Sequence, residues 1–594
     1  MNQTLDLAVI GNCQVSALVD EMARIVWMCL PRPDGDAAFC GLLGGGRDAA
    51  GEFSVELSGA TTSTRRYLPN TAILETMLSD GNGNAVRVTD FCPRFRARER
   101  IFKPVGLVRV VEAVSGRPMI RLRLDPAQDN GCAKPEMTWG SSHVRFTGGG
   151  YAFRVTTDAS VQSIIEHREF VLDRPLTVIL GPDEPLSESV GRVGRQFLED
   201  TTDYWRDWVR GLAIPFEWQD EVIRAAITLK LCTYEDTGAV LAALTTSIPE
   251  SAGSSRNWDY RYCWLRDAYF VIRALNRLGA TRTMESYLHF MDNVVAGART
   301  TGLQPLYGIS GEALVTERVA DCLPGYRGMG PVRIGNQAHE QLQHDVYGSL
   351  ILALTQAFFD RRIANPGDRA LFRRLERFGE LALAAYDKPD AGIWEYRGRQ
   401  RPHTFSAVMC WAAADRLARV ALGLGLEDRH AFWRDNAEVM RDRILAAAWH
   451  PEVKAFTGAF GHPALDASVL LLAELGFIPA GDPRFVATVE AVERDLKEGV
   501  LLMRYREPDD FGEPDTAFTV CTFWYINALA AIGRRDEARE LFEHVLARRN
   551  SMGLLSEDID PETGELWGNF PQTYSMVGIV DCALRLSRSW EEAL

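Results

Sequence analysis

The sequence predicts a two-part fold, an N-terminal antiparallel β-sandwich followed by an (α/α)6 toroid barrel, which is a ring of six helical hairpins. Three observations support this prediction. Short alternating apolar runs fill roughly the first 185 residues, and the period of the apolar residues then changes from two to 3.6. Twelve helical runs follow, joined by loops of very unequal length. At 594 residues, the chain also exceeds a single ordinary core, so several domains are expected.

The N-terminal β-sandwich is predicted to span residues 1–186. Runs such as 105–114 and 176–180 alternate as strands with one buried face do. Turn residues recur about every ten positions, which favours antiparallel hairpins over parallel β-α-β units. The glycines at 44–46 lack a following Lys-Ser/Thr pair, so we expect a hairpin turn there rather than a phosphate-binding loop. Residues 187–216 are predicted to form a helical linker.

The helical barrel is predicted to span residues 217–594. Apolar side chains recur at three and four positions, as at Leu350 and Leu354. A fixed-period repeat would instead indicate an α-solenoid, and the sequence shows none. The longest loops, about 236–261 and 298–337, are expected to gather at one end and form a pocket. The predicted helices are 219–235, 262–278, 281–297, 338–363, 368–386, 405–423, 427–448, 464–475, 483–496, 515–532, 535–548 and 572–588.

Composition and charge exclude several classes of function. Lysine and arginine total 65 against 80 aspartates and glutamates, a formal charge of −15. This charge repels nucleic acids and anionic membranes, so neither is an expected partner. No run approaches the roughly 20 apolar residues that cross a bilayer, and the N-terminus lacks a basic leader. We therefore expect a cytoplasmic protein.

The cysteines and histidines predict neither a disulfide framework nor a metal centre. The eleven cysteines are scattered and form no CxxC pair, so reduced and mostly buried thiols are expected. His339 and His344 are five residues apart and would diverge on a helix. Asp558, Asp560 and Glu562 alternate in a loop, but the glycine is misplaced for an EF-hand, which favours a solvated turn. No metal is expected.

Two glutamates are the candidate acid and base of an active site. Glu395 lies in Gly392-Ile-Trp-Glu395 and Glu557 in Leu555-Ser-Glu-Asp558, each among aromatic or turn-forming residues. Cleavage of a glycosidic bond needs a proton for the leaving oxygen and a carboxylate for water or the sugar. Most acidic residues are solvated surface charges, so the surrounding residues must support the assignment.

The segment 256–267 is rich in residue types that bind sugars. It holds three arginines, two aspartates, two tryptophans and two tyrosines in twelve residues. Arginine and aspartate bind hydroxyls, and an aromatic ring packs against the C–H face of a pyranose. A structural belt of ion pairs would have the same composition, so the segment alone leaves both interpretations open. The long loops add Tyr307, Tyr326, Arg327 and Arg333.

Taken in order, these motifs resemble glycoside hydrolase family 15, the glucoamylase and trehalase-like enzymes, over nearly the whole chain. The resemblance implies a β-sandwich, an (α/α)6 catalytic barrel and hydrolysis of α-glucosides with inversion at the anomeric carbon. Ser349, Met576 and His344 depart from the trehalase-like pattern, which leaves the substrate open. The matching segments are 67–76, 245–250, 257–267, 325–328, 331–336, 392–395, 521–524, 555–564 and 568–572.

The resemblance also implies roles for single residues. Glu395 matches the general acid and Glu557 the general base. Inversion requires their carboxyls to lie roughly 6.5 to 9.5 Å apart, with the acid protonated and the base ionised. Arg266 and Asp267 match the pair that holds the nonreducing-end glucose. The full set of residues assigned to substrate binding is Arg266, Asp267, Trp394, Arg504, Trp258, Trp264, Tyr326 and Arg327.

The predicted protein is an exo-acting α-glucoside hydrolase that releases glucose from the nonreducing end of trehalose or of short α-gluco-oligosaccharides. Its partner is the carbohydrate substrate, and a homo-oligomer is left open. Because water and two carboxylates suffice for the chemistry, no cofactor is expected. Two alternatives remain at this point: an inverting phosphorylase, in which phosphate replaces the base, and a noncatalytic sugar-binding protein of the same fold.

Overall fold

The computed structural model describes residues 3–44, 51–298 and 302–593. Glycines 45 and 46 of the predicted hairpin turn lie outside the described residues. The chain forms an antiparallel β domain, a linking helix and a helical barrel, in the predicted order. The exact domain boundaries at 186 and 216 stay predictions.

The N-terminal domain is a sandwich of two antiparallel sheets. Its strands are β1 (Ala8–Gly11), β2 (Ser16–Val19), β3 (Arg24–Leu30), β4 (Asp36–Phe39), β5 (Glu52–Leu57), β6 (Thr62–Tyr67), β7 (Leu74–Ser79), β8 (Ala85–Phe91), β9 (Phe95–Ala97), β10 (Arg100–Phe102), β11 (Leu107–Ser115), β12 (Met119–Asp125), β13 (Glu136–Trp139), β14 (His143–Thr147), β15 (Phe153–Thr157), β16 (Phe170–Val171) and β17 (Leu176–Pro182). A short helix, α1 (Val161–Ile165), precedes β16.

One sheet has the order β1-β2-β3-β5-β12-β16, with β4 paired to β3, and the other has the order β13-β14-β15-β17-β11-β8-β7-β6. Alternate residues are buried in strands such as β7, β12 and β15, so each sheet has one buried face. Val55 and Leu122 from one sheet share a buried core with Val88 and Val155 from the other. Burial of these two faces against each other holds the sandwich together.

Helix α2 (Val190–Arg210) links the β domain to the barrel. Its buried residues Thr201, Trp205 and Val209 recur every fourth position, which places them on one face of the helix. Helix α2 contacts strands β9 and β17 of the β domain. The opposite face of α2 is polar, as expected for a helix with one packed side.

The barrel has a helical segment at each of the twelve predicted places. They are α3 (Gln219–Leu231), α4 (Leu265–Arg277), α5 (Thr281–Gly297), α6 (Asp345–Phe359), α7 (Arg369–Ala385), α8 (Thr404–Gly423), α9 (Glu427–Ala448), the 3-10 helix Ala467–Leu471, α10 (Pro483–Leu496), α11 (Thr519–Ala531), α12 (Arg535–Leu546) and α13 (Thr573–Leu586). The loops also hold a 3-10 helix, Gln337–Glu340, and short strand pairs, and the chain continues into α14 (Trp590–Ala593).

The predicted α-helix at 464–475 is instead the 3-10 helix Ala467–Leu471 followed by turns. All five residues of this 3-10 helix are buried. An apolar run that is buried on every side shows no periodicity, so the sequence pattern does not distinguish the two kinds of helix. The side chain of Asp466 caps the segment by accepting the N–H of Ser468.

Six segments form a closed inner ring in which each one contacts the next: α4, α6, α8, the 3-10 helix Ala467–Leu471, α11 and α13, which returns to α4. Helices α3, α5, α7, α9, α10 and α12 pack outside this ring. Nearly every residue of α8 and α11 is buried, whereas α7 and α9 bury one stripe. In these four examples, the inner helices bury most of their residues and the outer helices bury one face.

Two cysteines correct the prediction that all thiols are reduced. Cys132 and Cys322 form a disulfide, and the other nine cysteines are buried. The pair is 190 residues apart in sequence and joins a loop of the β domain to the loop between α5 and α6. Only the tertiary structure brings these thiols together, because their spacing in the sequence carries no signal.

In the described part of the chain, no helix combines the length and apolar character that a membrane crossing requires.

Candidate active site

The loops at one end of the barrel enclose a cavity. Inner helices α4, α11 and α13 begin at this end, so Arg266, Phe518 and Tyr574 enter the cavity wall from the starts of these helices. The wall is lined by Ala242, Glu250, Arg256, Trp258, Tyr260, Trp264, Arg266, Asp267, Asn336, Ala338, Gln341, Ile393, Trp394, Glu395, Tyr396, Arg397, Arg504, Tyr505, Asp509, Asp510, Phe511, Phe518, Trp524, Gln572 and Tyr574. Seven of the ten residues that the sequence assigns to the site are among them.

Glu395 is held in the wall by three donors on one oxygen. Trp264 Nε1 lies 2.7 Å, Gln343 Nε2 3.2 Å and an Arg266 guanidinium nitrogen 3.4 Å from Glu395 Oε1. Among the described residues, none donates to the second oxygen, Oε2. Glu395 adopts a φ of 59°, a conformation that is strained for a residue with a side chain. The surrounding contacts therefore fix the carboxyl in one orientation.

The turn that carries Glu395 depends on a glycine. Gly392 has a φ of 67°, and a Cβ there would lie 2.7 Å from the ring of His403. The backbone N–H of Glu395 donates to the Gly392 carbonyl at 3.2 Å. A tight turn packed directly against an aromatic ring thus places Trp394 and Glu395 at the cavity.

Glu557 is fully buried beside the cavity wall. The Tyr260 hydroxyl donates to Glu557 Oε1 at 2.6 Å, and the Asn569 N–H donates to Oε2 at 3.3 Å. A Cβ on Gly568 would lie 2.6 Å from the Glu557 Cβ, so a glycine is needed at that position. Among the described residues that line the cavity, Glu557 does not appear. Its connection to the cavity is the hydrogen bond from Tyr260, which lines the wall.

Burial raises the pKa of Glu557 well above its usual range, and the carboxylates of Asp558 and Glu250 raise it further. The donors Tyr260 and Asn569 oppose this rise because they stabilise the ionised form. The predicted role of general base needs an ionised Glu557. The raised pKa therefore sets a lower pH limit on that role.

Adjacent aromatic rings connect the two glutamates. The Trp264 ring, whose N–H contacts Glu395, meets the Tyr260 ring edge-on with 5.3 Å between ring centroids. Burial raises the pKa of Tyr260 well above its usual range, and Glu557, Glu250 and Glu395 each add to the rise. Tyr260 therefore stays protonated and serves as the hydrogen-bond donor to Glu557.

Arg266 and Asp267 form a buried pair at the start of α4. Arg266 contacts Asp267 Oδ2 at 3.6 Å and Asp345 Oδ2 at 3.4 Å. Burial raises the pKa of Asp267 to about 7, although Arg266 lowers it. Arg266 Nε and Asp267 Oδ2 have no hydrogen-bond partner among the described residues. These two buried atoms face each other across the 3.6 Å contact, so the ion pair itself is held in the cavity wall.

Three further side chains of the wall are fixed by carboxylates. A guanidinium nitrogen of Arg504 donates to Glu250 at 2.6 Å, and Trp258 Nε1 donates to the same carboxylate at 3.0 Å. Trp394 Nε1 donates to Asp466 at 2.7 Å, at the cap of the 3-10 helix. These bonds hold an aromatic and cationic surface around the cavity before any ligand binds.

The segment 256–267 contributes both to the cavity wall and to a structural ion pair, the two interpretations that its composition leaves open. Trp258, Tyr260 and Trp264 line the cavity. Asp259 and Arg261 are fully buried and pair at 2.8 Å, and Arg261 donates to the Gly35 carbonyl of the β domain at 2.8 Å. Because neighbouring residues point in opposite directions, one face of the segment forms the pocket and the other forms a structural ion pair.

Tyr326 and Arg327 lie outside the cavity wall. The Tyr326 hydroxyl and Arg327 Nε donate to the Gln3 carbonyl at 3.2 and 2.6 Å. Arg327 also pairs with Glu565. The structure therefore places these two residues at the N-terminal segment and not with the other residues assigned to the site.

Sequence reasoning missed several polar residues of the site. Tyr260 and Glu250 lie within motifs that the sequence singles out, so their aromatic and acidic character was the available signal. Gln343 and Asp345, which contact Arg266, come from the start of α6. The sequence gives no sign that this loop meets Glu395. In the described ranges, no cluster of three or more metal-ligating side chains occurs.

The β-sandwich, the helical ring and a cavity with an acidic group among tryptophans and arginines are those of a glycoside hydrolase. Residues 218–584 match the family model described as Glycosyl hydrolases family 15, and residues 4–168 match the model described as Trehalase-like, N-terminal. The chain belongs to glycosyl hydrolases family 15.

The chain is similar over nearly its full length to curated trehalases. It is 33% identical over 633 residues to that of Mycolicibacterium smegmatis, covering 99% of this chain and 92% of the relative. It is also 33% identical over 604 residues to that of Thermoplasma volcanium, with coverages of 98% and 93%. A bacterial glucoamylase complexed with acarbose shares the fold, with a TM-score of 0.67, 14% identity and coverages of 98% and 94%.

Proposed function

We propose that the protein is an inverting, exo-acting α-glucoside hydrolase whose substrate is trehalose or a short α-gluco-oligosaccharide. The observation that carries the proposal is that Glu395, in the cavity wall, and Glu557, buried behind the wall, are connected through Trp264 and Tyr260. Similarity to trehalases over nearly the whole chain favours trehalose. One molecule of trehalose would give two molecules of glucose.

Glu395 acts as the general acid in this proposal. Its Oε1 is occupied by the three donors, so the transferable proton is carried on Oε2. Protonation of the glycosidic oxygen lets the leaving sugar depart as an alcohol, while positive charge develops at the anomeric carbon. The 21% exposure of the Glu395 side chain fits a group that must contact substrate.

Glu557 acts as the general base and activates a water on the opposite side of the sugar ring. The Tyr260 hydroxyl orients the carboxylate and stabilises its charge. The water would stand in the cavity near Tyr260, since Glu557 itself is buried behind the wall. An inverting reaction requires the two carboxyls to lie roughly 6.5 to 9.5 Å apart, and this separation stays a prediction.

The nonreducing-end glucose is held by the buried end of the cavity. Arg266 and Asp267 line this end and bring a cationic donor and an acidic acceptor to the sugar hydroxyls. Trp394 supplies an aromatic face, and Arg504 lies in the same wall from another loop. A dead-end pocket of this kind binds a chain terminus, which explains exo action.

The stereochemistry of the products tests the mechanism directly. Inverting cleavage of trehalose yields one β-glucose from the substrate half that is attacked and one α-glucose from the leaving half. Early proton NMR spectra should therefore show the two anomers in equal amounts. Two α-anomers would indicate retention and contradict the roles given to Glu395 and Glu557. Formation of glucose 1-phosphate in phosphate buffer would instead identify a phosphorylase.

Separate Glu395→Gln and Glu557→Gln substitutions test the two roles. Each removes a proton donor or acceptor without changing the side-chain shape, so we expect kcat for trehalose to fall by about 10² to 10⁴. Glu562→Gln, in the exposed loop after Glu557, is the matched control and should keep wild-type kcat. Wild-type kcat in either active-site variant would refute the assignment, and inactivity of the wild type on all α-glucosides would favour a sugar-binding protein.

A further inference from the structure

A four-residue turn, the rim turn (residues 509–512), lies at the mouth of the cavity. The backbone groups of Asp509 and Gly512 pair with each other, which closes the turn. Asp509, Asp510 and Phe511 all line the cavity. Phe511 is 38% exposed, whereas Asp267 at the other end is buried. The rim turn therefore marks the solvent side of the cavity, opposite the glucose-binding end.

Two aspartates anchor the rim turn. Asp509 accepts two hydrogen bonds from the Arg256 guanidinium, at 2.5 and 2.7 Å, and one from the Tyr505 hydroxyl at 2.5 Å. Asp510 accepts the backbone N–H groups of Arg397 and Gly398 at 2.7 and 2.9 Å. Charge-assisted bonds of this kind are stronger than neutral ones. The turn is thus fixed from two sides.

The anchor at Asp510 holds the segment that follows Glu395. Arg397 lies only two residues after Glu395, so their Cα atoms are at most about 7 Å apart along the chain. The Arg397 guanidinium stacks 4.4 Å from the centre of the Trp258 ring and pairs with Glu317 at 3.1 Å. The Arg397 guanidinium stacked on Trp258 therefore forms a barrier in the cavity wall close to Glu395 along the chain.

We propose that the rim turn is a specificity element that restricts the enzyme to substrates of two sugar rings. One ring occupies the buried end, and the leaving ring lies between Glu395 and the wall made by Phe511, Trp258 and Arg397. A third ring would have to displace the Arg397 guanidinium and the rim turn. The inference rests on the proposed hydrolase function and adds the substrate length that this site accepts.

The test compares kcat/KM for trehalose and for maltotriose in four variants. Asp510→Ala removes both acceptors of the anchor and frees the turn, and Phe511→Ala removes the ring from the wall. We expect each to raise the maltotriose-to-trehalose ratio of kcat/KM by about tenfold or more. Asp510→Asn keeps one acceptor oxygen and should give an intermediate shift. Glu513→Ala, exposed and one residue beyond the turn, should leave the ratio unchanged.

Several results would overturn the proposal. An unchanged ratio, or equal losses on both substrates, would mean that the anchors only support the Glu395 turn. If Asp510→Ala does not fold, which its melting temperature would show, Phe511→Ala still decides because its ring is partly exposed. A wild type that prefers maltose would refute trehalose as the substrate, and the maltose and maltotriose pair would then test the rim turn. If the wild type hydrolyses maltotriose as fast as the two-ring substrate, the rim-turn proposal is refuted whether that substrate is trehalose or maltose.

Discussion

At the scale of single residues, Tyr260 has the largest influence on the chemistry of the site. It donates to Glu557, packs against the ring that contacts Glu395, and lines the cavity. Its pKa is raised well above the usual range by burial and by the surrounding carboxylates, so the donor is present throughout the working pH range. Because the Tyr260 hydroxyl stays protonated, it stabilises the ionised form of the Glu557 carboxyl.

The raised pKa of Glu557 predicts the low-pH limb of activity. In its proposed role of general base, Glu557 must be ionised, so kcat/KM should fall as pH drops through the raised pKa, at a pH above the ordinary carboxyl value of 4.5. Tyr260→Phe removes a donor that lowers this pKa, so the limb should move to higher pH. Profiles of kcat/KM against pH for the wild type and the variant measure the shift, and a limb that stays in place or moves down would contradict it.

At the scale of structural elements, Asp390 joins the turn that carries Glu395 to two inner helices. Its carboxylate accepts the backbone N–H of His344, which precedes α6, at 2.8 Å and the hydroxyl of Ser406 in α8 at 2.7 Å. Burial raises the pKa of Asp390 to about 7, although both donors lower it. The position of Glu395 thus depends on the carboxyl of Asp390, which is itself desolvated.

Asp390 predicts a loss of stability with rising pH. Its carboxyl has a pKa of about 7 in the folded protein against an ordinary value of 3.8, so it keeps its proton in the folded state between those values. The stabilisation that protonated Asp390 gives the folded state is complete below pH 3.8 and is lost as pH rises to about 7. From pH 5 to 8, the wild type should lose about 2 to 3 kcal/mol of unfolding free energy that Asp390→Asn retains.

Urea unfolding at pH 5 and pH 8 measures this difference. The matched control is Asp387→Asn, an exposed position three residues earlier, which should reproduce the wild-type dependence. Identical pH dependence in the wild type and Asp390→Asn would show that the buried carboxyl does not titrate in this range.

At the scale of the whole molecule, the β domain braces the active-site segment of the barrel. Arg261, between the cavity-lining Tyr260 and Trp264, donates to Gly35 of the β domain. Trp27 Nε1 of the β domain donates to the Leu244 carbonyl at 2.8 Å. The disulfide between Cys132 and Cys322 adds a covalent link at the same junction. The β domain is therefore part of the support of the cavity.

The disulfide predicts a thiol count and a change in stability. Under denaturing, nonreducing conditions, two fewer thiols should react with a thiol reagent than the eleven that react after reduction. Cys322→Ser should lower the unfolding free energy by about 2 to 5 kcal/mol, because the link restricts a long loop of the unfolded chain. Reduced wild type should unfold like the variant. Eleven reactive thiols without reductant would contradict the link.

The sequence by itself determined the two architectures and most of the cavity wall. Alternation of period two requires a sheet with one apolar face, and period 3.6 requires a helix with one apolar stripe, so element types follow from local spacing. The residues around Glu395, Arg266 and Trp258 were identifiable because aromatic, acidic and cationic side chains are concentrated there.

Only the tertiary structure decided which distant residues meet. The disulfide, the contact of Gln343 with Glu395 and the position of Tyr326 and Arg327 away from the cavity all depend on how loops from different hairpins come together. The pKa of Glu557 also required the fold, because burial and neighbouring carboxylates act through space. Local sequence encodes which faces are apolar, and the closure of the ring sets the distances between them.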